Sequence, residues 1–129
     1  MTIERIDPAG LAAAGGPYVH LTKAGNLIFV SGTVAFGADG RVVGVGDVTA
    51  QARQTLENLG TCLRAAGAGF KDVAKVTVFV RRMADRAAIA AVRREFFTDT
   101  LPASTLVEVS ALAHPDLLLE IEAIAVLPG

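Results

Sequence analysis

The chain has 129 residues, 52% of them hydrophobic, and a formal net charge of −1. This size and composition suit one domain over residues 1–129, and the low net charge argues against nucleic acid or an anionic membrane as a partner. One cysteine excludes an intrachain disulfide, and neither a signal peptide nor a membrane-spanning run occurs, so we expect a protein of the reducing cytoplasm.

The first third of the chain predicts short strands joined by turns. Residues 3–6 form a short edge strand, residues 9–16 a glycine-rich loop, and residues 18–23 and 27–34 two further strands. The turn between the last two contains Gly25, which tolerates the positive φ of a tight turn.

Gly32 lies inside the predicted strand 27–34. A glycine weakens a strand, and close approach of another backbone or a ligand is a common reason for its presence. Beyond this strand, Asp39 and Gly40 predict another turn, followed by a short strand over residues 41–43.

Two amphipathic helices are indicated by the spacing of apolar residues. The first covers about residues 50–66, with Asp47 or Thr49 as its cap and Gly67 as its stop. The second covers about residues 84–98.

Three more strands complete the predicted fold, over residues 73–80, 102–110 and 117–126. The connection from strand 27–34 to strand 73–80 contains a helix, which suits a crossover between parallel strands. The element order predicts an α+β domain whose mixed sheet has both helices packed on one face. No helix remains for the other face, so we expect a further subunit to cover it.

The last strand has two acids on one side. Glu120 and Glu122 alternate with Leu119, Ile121 and Ala123, and alternate residues of a strand point to the same face. The acids lie either in solvent or at a rim or subunit interface, where they have a function.

Motifs for common cofactors do not occur in the sequence. Residues 44–49 contain G-x-G without the third glycine of a dinucleotide fingerprint, and there is no G-x-x-x-x-G-K-[ST] loop. His20 and His114 are the only histidines and cannot complete a zinc site with one cysteine. Ser31 lacks the G-x-S-x-G context of a hydrolase nucleophile. We predict neither a metal nor a cofactor.

Eight blocks of sequence, in order and with matching spacing, resemble the RidA family (YjgF, reactive intermediate imine deaminase). The blocks are residues 16–18, 25–32, 51–59, 73–80, 95–97, 102–103, 107–109 and 120–125. The resemblance implies a chorismate-mutase-like single domain that forms a homotrimer, with the sheets as an inner barrel and small-molecule clefts between subunits. Many members hydrolyse reactive 2-imino or 2-enamino acids to 2-oxo acids and ammonia without metal or cofactor.

The resemblance also implies roles for individual residues. Tyr18 corresponds to a tyrosine whose ring packs on a planar ligand, and Gly32 to a glycine whose backbone approaches that ligand. Glu120 corresponds to the acid that positions the attacking water, since a carboxylate can accept its proton. Each has a plainer interpretation: a half-buried strand tyrosine, a packing glycine and a solvated acid. Glu122 is expected to form a structural ion pair.

One position departs from the family pattern. Deaminating members have an arginine that grips the substrate carboxylate with two hydrogen bonds, whereas this chain has Ser104 there and Leu106 at a common cysteine position. Loss of such a contact costs about 2–5 kcal/mol. The change argues against imines derived from amino acids, unless another group replaces the arginine.

Two side chains are candidates for that replacement. Arg93 stands where the family usually has a tyrosine and could turn toward a cleft, although a solvated helix arginine is the simpler interpretation. His20 shares a side of its strand with Tyr18 and could bind a carbonyl or act as an acid or base near neutral pH. Its simpler interpretation is a packed or surface histidine.

Three functions are therefore considered. The first is an imine or enamine deaminase with an altered substrate, and the second is a non-catalytic homotrimer that binds a small metabolite in the same clefts. The third, an endoribonuclease as in some relatives, is disfavoured by the low net charge and the absence of tryptophan.

Overall fold

The computed structural model describes residues 2–129, which form one six-stranded mixed sheet with two α-helices on one face. The helices are α1 (Val48–Ala65) and α2 (Arg86–Phe96). The strands are β1 (Ile3–Ile6), β2 (Leu21–Ala24), β3 (Leu27–Thr33), β4 (Val73–Val80), β5 (Ala103–Glu108) and β6 (Leu119–Val126). This confirms the predicted α+β class and the placement of both helices on one face.

The strands are arranged in the order β1-β2-β3-β6-β4-β5. The last strand, β6, lies between β3 and β4 and is antiparallel to both, so β3 and β4 run in the same direction. α1 connects them, as the predicted crossover requires. α2 makes a second crossover from β4 to β5, which pair in parallel.

The ends of α1 follow from local chemistry. The Asp47 carboxylate caps the helix by accepting a hydrogen bond from the Ala50 N–H at 3.0 Å. Gly67 follows the helix with φ at +80°, a conformation that favours glycine. α2 starts two residues later than predicted because a 3₁₀ turn, Met83–Asp85, precedes it, and it ends two residues earlier.

The core lies between the sheet and the two helices, on what we call the helix-covered face. Fully buried side chains from both layers meet there, including Ile28, Val78, Ile121, Leu59 and Ile89. The single thiol, Cys62, is also in this core and is only 1% exposed. Burial raises the pKa of Cys62 to about 11, with a smaller contribution from the charge of Asp7.

The opposite face of the sheet, which we call the open face, has no helix on it. Its partly exposed apolar side chains are each 37–41% accessible and comprise Leu27, Phe29, Val107, Ile124 and Val126. Alternation along β6 is as predicted: Leu119, Ile121 and Ala123 are buried, while Glu120 and Glu122 lie on the open face.

Two predicted strands differ from the structure, one at its start and one in its extent, while the bounds of the other strands differ by at most two residues. β2 begins at Leu21 rather than at Tyr18, because the N–H of His20 donates to the Asp7 carboxylate at 2.9 Å instead of to a neighbouring strand. The predicted strand 41–43 is reduced to one bridge between Phe36 and Val42, since the adjacent hydrogen bonds close a tight turn. Within residues 2–129, no helix is long and apolar enough to cross a membrane.

Candidate functional site

Glu120 and Gly32 are in close contact on the open face. They come from the neighbouring strands β6 and β3, where the pairing is irregular between Val30 and Thr33. A Cβ atom added to Gly32 would lie 2.7 Å from Cδ of Glu120. The glycine therefore makes room for the carboxylate, and a larger residue there would displace it.

The surroundings of Glu120 favour its protonated form. The side chain is half-buried, and burial raises its pKa; the like charge of Glu122, two residues along the same face, raises it further. Hydrogen bonds and cations, which would lower the pKa, do not contribute within residues 2–129. Glu120 is thus a more basic carboxylate than a solvated one.

A cavity of about 420 Å³ lies beside this contact, between the loop that precedes β2 and the end of β3. Tyr18, His20 and Gly32 all line it, together with Asn58 and His114. Tyr18 is 54% exposed and packs near Gly16 rather than within a strand. The structure therefore brings three of the predicted site residues to one cavity, and Glu120 adjoins it through Gly32.

Both ring nitrogens of His20 are already engaged. Nδ1 lies 2.6 Å from Oδ1 of Asp7, and Nε2 lies 2.9 Å from the carbonyl oxygen of Ala12. The hydrogen bonds from His20 lower the pKa of the Asp7 carboxyl. To bind a ligand, His20 would have to release one of these partners, so in this conformation it fixes the loop that forms the cavity wall.

Ser104 and Leu106 line a different cavity, of about 370 Å³, between α2 and β5. Nη2 of Arg93 donates to Oγ of Ser104 there at 3.0 Å. The expectation that Arg93 is a solvated helix arginine is wrong, because its side chain is half-buried at this cavity. A guanidinium group therefore reaches the position where the sequence has serine.

Glu120 and Ser104 lie on opposite faces of the sheet. Glu120 is paired with Phe79 on the open face, whereas Ser104 is paired with Val76, which is buried on the helix-covered face. β4 lies between β6 and β5, so two strand spacings, about 10 Å, also separate them. Within one copy of the chain, Glu120 and Ser104 cannot contact the same small molecule.

Sequence reasoning missed several polar residues that shape the first cavity. Asn58, on α1, is buried, and its Nδ2 donates to the carbonyls of Val34 at 2.9 Å and Phe36 at 2.8 Å. The available signal was a polar residue on the apolar stripe of a helix. His114 lines the cavity and packs edge-to-face on Phe36, at 6.2 Å between ring centroids. Nothing in its local sequence indicates this contact.

Comparison with known proteins places the chain in a family. The family described as Endoribonuclease L-PSP matches residues 9–127. The 3-aminoacrylate deaminase RutC of Acinetobacter baylyi is 41% identical over 125 residues, covering 97% of this chain and 98% of its own length. The 2-iminobutanoate/2-iminopropanoate deaminase of Escherichia coli K12 is 44% identical over 117 residues, covering 88% and 90%.

A solved structure agrees with these sequence matches. The crystal structure of Escherichia coli TdcF with bound serine superimposes with a TM-score of 0.90 and 36% identity, covering 97% of this chain and 99% of that one. The chain belongs to the RidA (YjgF) family, as its sequence blocks predicted.

Proposed function

We propose that the chain is an imine or enamine deaminase that hydrolyses small 2-imino or 2-enamino acids to 2-oxo acids and ammonia. The observation that carries this proposal is the Glu120 carboxylate, half-buried against Gly32, with a pKa that burial raises. A more basic carboxylate accepts a proton from water more readily. The names of two relatives, a 3-aminoacrylate deaminase and a 2-iminobutanoate/2-iminopropanoate deaminase, support the reaction class.

The proposed reaction consumes one water molecule. The water oxygen attacks the imine carbon while Glu120 accepts one of the water protons and passes it to nitrogen. The second water proton leaves the new hydroxyl and also reaches nitrogen, the C–N bond breaks with its electron pair on nitrogen, and the carbonyl forms. Ammonia and the 2-oxo acid leave, and Glu120 is ionised again. An enamine follows the same route after it tautomerises to the imine.

The other residues of the first cavity would bind and orient the substrate. The ring of Tyr18 offers a wall for a planar ligand, and Gly32 allows the ligand to approach the backbone. His20 holds the loop that closes the cavity. In this proposal Ser104 and Leu106 act from the second cavity, which lies between α2 and β5.

The site is proposed to lie between subunits of a homotrimer. Glu120 and the Ser104 cavity can serve one substrate only if they come from different copies, because they lie on opposite faces of the sheet in one copy. The apolar side chains of the open face, Phe29 and Ile124 among them, also favour coverage by another copy. Sedimentation analysis should give three times the 13.3 kDa of one chain.

The test is hydrolysis of 2-iminopropanoate, which an amino-acid oxidase generates from alanine in the cuvette. The wild type should accelerate its decay, and Glu120→Gln should lower kcat by about 10²- to 10⁴-fold because the general base is lost. Glu122→Gln is the matched control, since it removes an acid from the same face of β6 and should stay near wild type at neutral pH.

Other results would select another function. A wild type that binds 2-oxobutanoate but leaves the imine untouched would identify a metabolite-binding protein. An endoribonuclease would cleave RNA and bind it with a steep salt dependence. Equal activities of Glu120→Gln and Glu122→Gln would exclude Glu120 as the base.

A further inference from the structure

The cavity between α2 and β5 combines positive charge with an apolar wall. Arg93 contributes its guanidinium group from α2 and Ser104 a hydroxyl from β5, and Arg86 of α2 also lines the cavity. Ala90 and Leu106 form apolar parts of the lining. A recess of about 370 Å³ with this lining fits the charged end of a small organic anion.

Arg93 differs from the paired arginines of the chain. The guanidinium of Arg53 lies 2.9 Å from Glu95, and that of Arg82 lies 3.0 Å from Asp85. Arg93 is half-buried, and within residues 2–129 no acidic group offsets the loss of water around it, so burial lowers its pKa. A half-buried cation without a counter-ion is stabilised by an anion that enters the cavity.

A hydrogen bond to Ser104 fixes the orientation of the Arg93 guanidinium group. Its Oγ accepts the hydrogen bond from Nη2 of Arg93 at 3.0 Å, so the hydroxyl proton is available to another acceptor. Because the hydroxyl proton can rotate, it can turn toward an acceptor that also binds the remaining N–H groups of the guanidinium. Two adjacent donors of this kind match the two oxygens of a carboxylate.

We propose that Arg93, positioned by Ser104, binds the substrate carboxylate, and that Leu106 selects a small aliphatic group beside it. The inference rests on the proposed function, because it names the anionic end of the substrate of that site. It assigns the cation to helix α2, and the substrate class to small aliphatic 2-imino or 2-enamino monocarboxylic acids.

The experiment compares Arg93→Gln, Arg93→Lys and Ser104→Asp with the wild type. Arg94→Gln is the matched control, because it removes an exposed arginine of the same helix that does not line this cavity. Two quantities are measured: KM and kcat for 2-iminopropanoate, and Kd for 2-oxobutanoate and for its uncharged amide. Thermal unfolding of each variant verifies that it is folded.

Arg93→Gln should raise KM and the Kd for 2-oxobutanoate by about 10- to 150-fold, the effect of losing hydrogen bonds to a charged group. The Kd for the amide should be unchanged, and Arg93→Lys should recover part of the loss. Ser104→Asp should weaken 2-oxobutanoate similarly while Arg93 is still present, because an internal carboxylate then occupies the guanidinium. Arg94→Gln should match the wild type.

The inference is overturned if Arg93→Gln binds 2-oxobutanoate as tightly as Arg94→Gln does, or if acid and amide are weakened equally. The proposed function can fail separately. Arg93-dependent binding of 2-oxobutanoate without imine hydrolysis would retain the inference and reject the deaminase. Imine hydrolysis that Arg93→Gln leaves unchanged would retain the deaminase and reject the inference. A wild type that neither hydrolyses the imine nor binds 2-oxobutanoate would reject both proposals.

Discussion

On the helix-covered face, the buried amide side chains of α1 are hydrogen-bonded within the chain, whereas the half-buried Glu120 on the open face has no such partner among residues 2–129. Gln51 is fully buried and bonds the backbone of Gly44, Asp116 and Leu118 at 2.8–3.1 Å. Burial raises the pKa of Glu120, as does the like charge of Glu122, and within residues 2–129 no hydrogen bond offsets them. Polar groups that are satisfied within one chain serve the fold, and those that are not are available to a ligand or a second copy.

The largest effect should follow from charging the open face. Ile124→Asp places a carboxylate among the apolar side chains of β6, so we expect the proposed homotrimer to dissociate to a single-chain mass and the proposed deaminase activity to be lost. Sedimentation and imine hydrolysis measure both. Val45→Asp is the control, because Val45 is 63% exposed and lies outside the sheet. A trimeric Ile124→Asp protein would show that subunits meet elsewhere.

For Gln51 on the helix-covered face we expect a loss of stability with little change in activity. Gln51→Ala leaves backbone groups of two loops without partners and should lower the free energy of unfolding by about 3 kcal/mol. Activity per folded molecule should stay near wild type. Urea unfolding, with the exposed Glu57→Gln of the same helix as a control, measures the difference. A loss below about 0.5 kcal/mol, the usual range for surface changes, would contradict the role of Gln51 in the fold.

Mixing two impaired variants tests whether the proposed base, Glu120, and the proposed cation, Arg93, come from different copies. Subunits carrying Glu120→Gln and Arg93→Gln are unfolded together, refolded at equal concentrations and assayed far below KM. In a cyclic trimer with one residue from each neighbour, about a quarter of the sites regain both groups. If both groups came from the same copy, activity would stay at the level of the separate variants.

The smallest effect concerns pH. Glu120 must be ionised to accept a proton, so kcat/KM should fall as the pH drops through its raised pKa. This fall should occur at a higher pH than for an ordinary glutamate, whose pKa is about 4.3. Glu122→Gln removes the like charge and should move this limb to lower pH. The pH–rate profiles of the two proteins measure the shift, and a limb that moves upward would contradict the assignment.

The sequence predicted most of the helices and strands because alternation, helical spacing and helix ends depend on neighbouring residues. Alternation along residues 119–126 placed the acids on one face, and Asp47 with Gly67 bounded α1. One error occurred where a distant group competes for a backbone hydrogen bond. Asp7, thirteen residues before His20, takes the N–H that would have extended β2, and no window around His20 contains that information.

The site was predictable only in part, because its geometry depends on which elements become neighbours. Residue types and family spacing identified Tyr18, Gly32 and Glu120, and their roles remain predictions. Arg93 lies four residues after the buried Ile89, which places it near the same side of α2. That spacing was visible in the sequence, but the position of β5 beside α2, which brings Ser104 within reach, was not.

The burial of Cys62 makes its thiol a natural probe of how often the core opens. Its thiol is sealed in the core with a pKa of about 11, so only a small fraction is thiolate at neutral pH, and a reagent must wait for the core to open. Since the sequence contains a single cysteine, the rate of labelling measures exposure of that one core position without any introduced probe. Slowing of that labelling by a bound ligand would give the binding energy in the native protein.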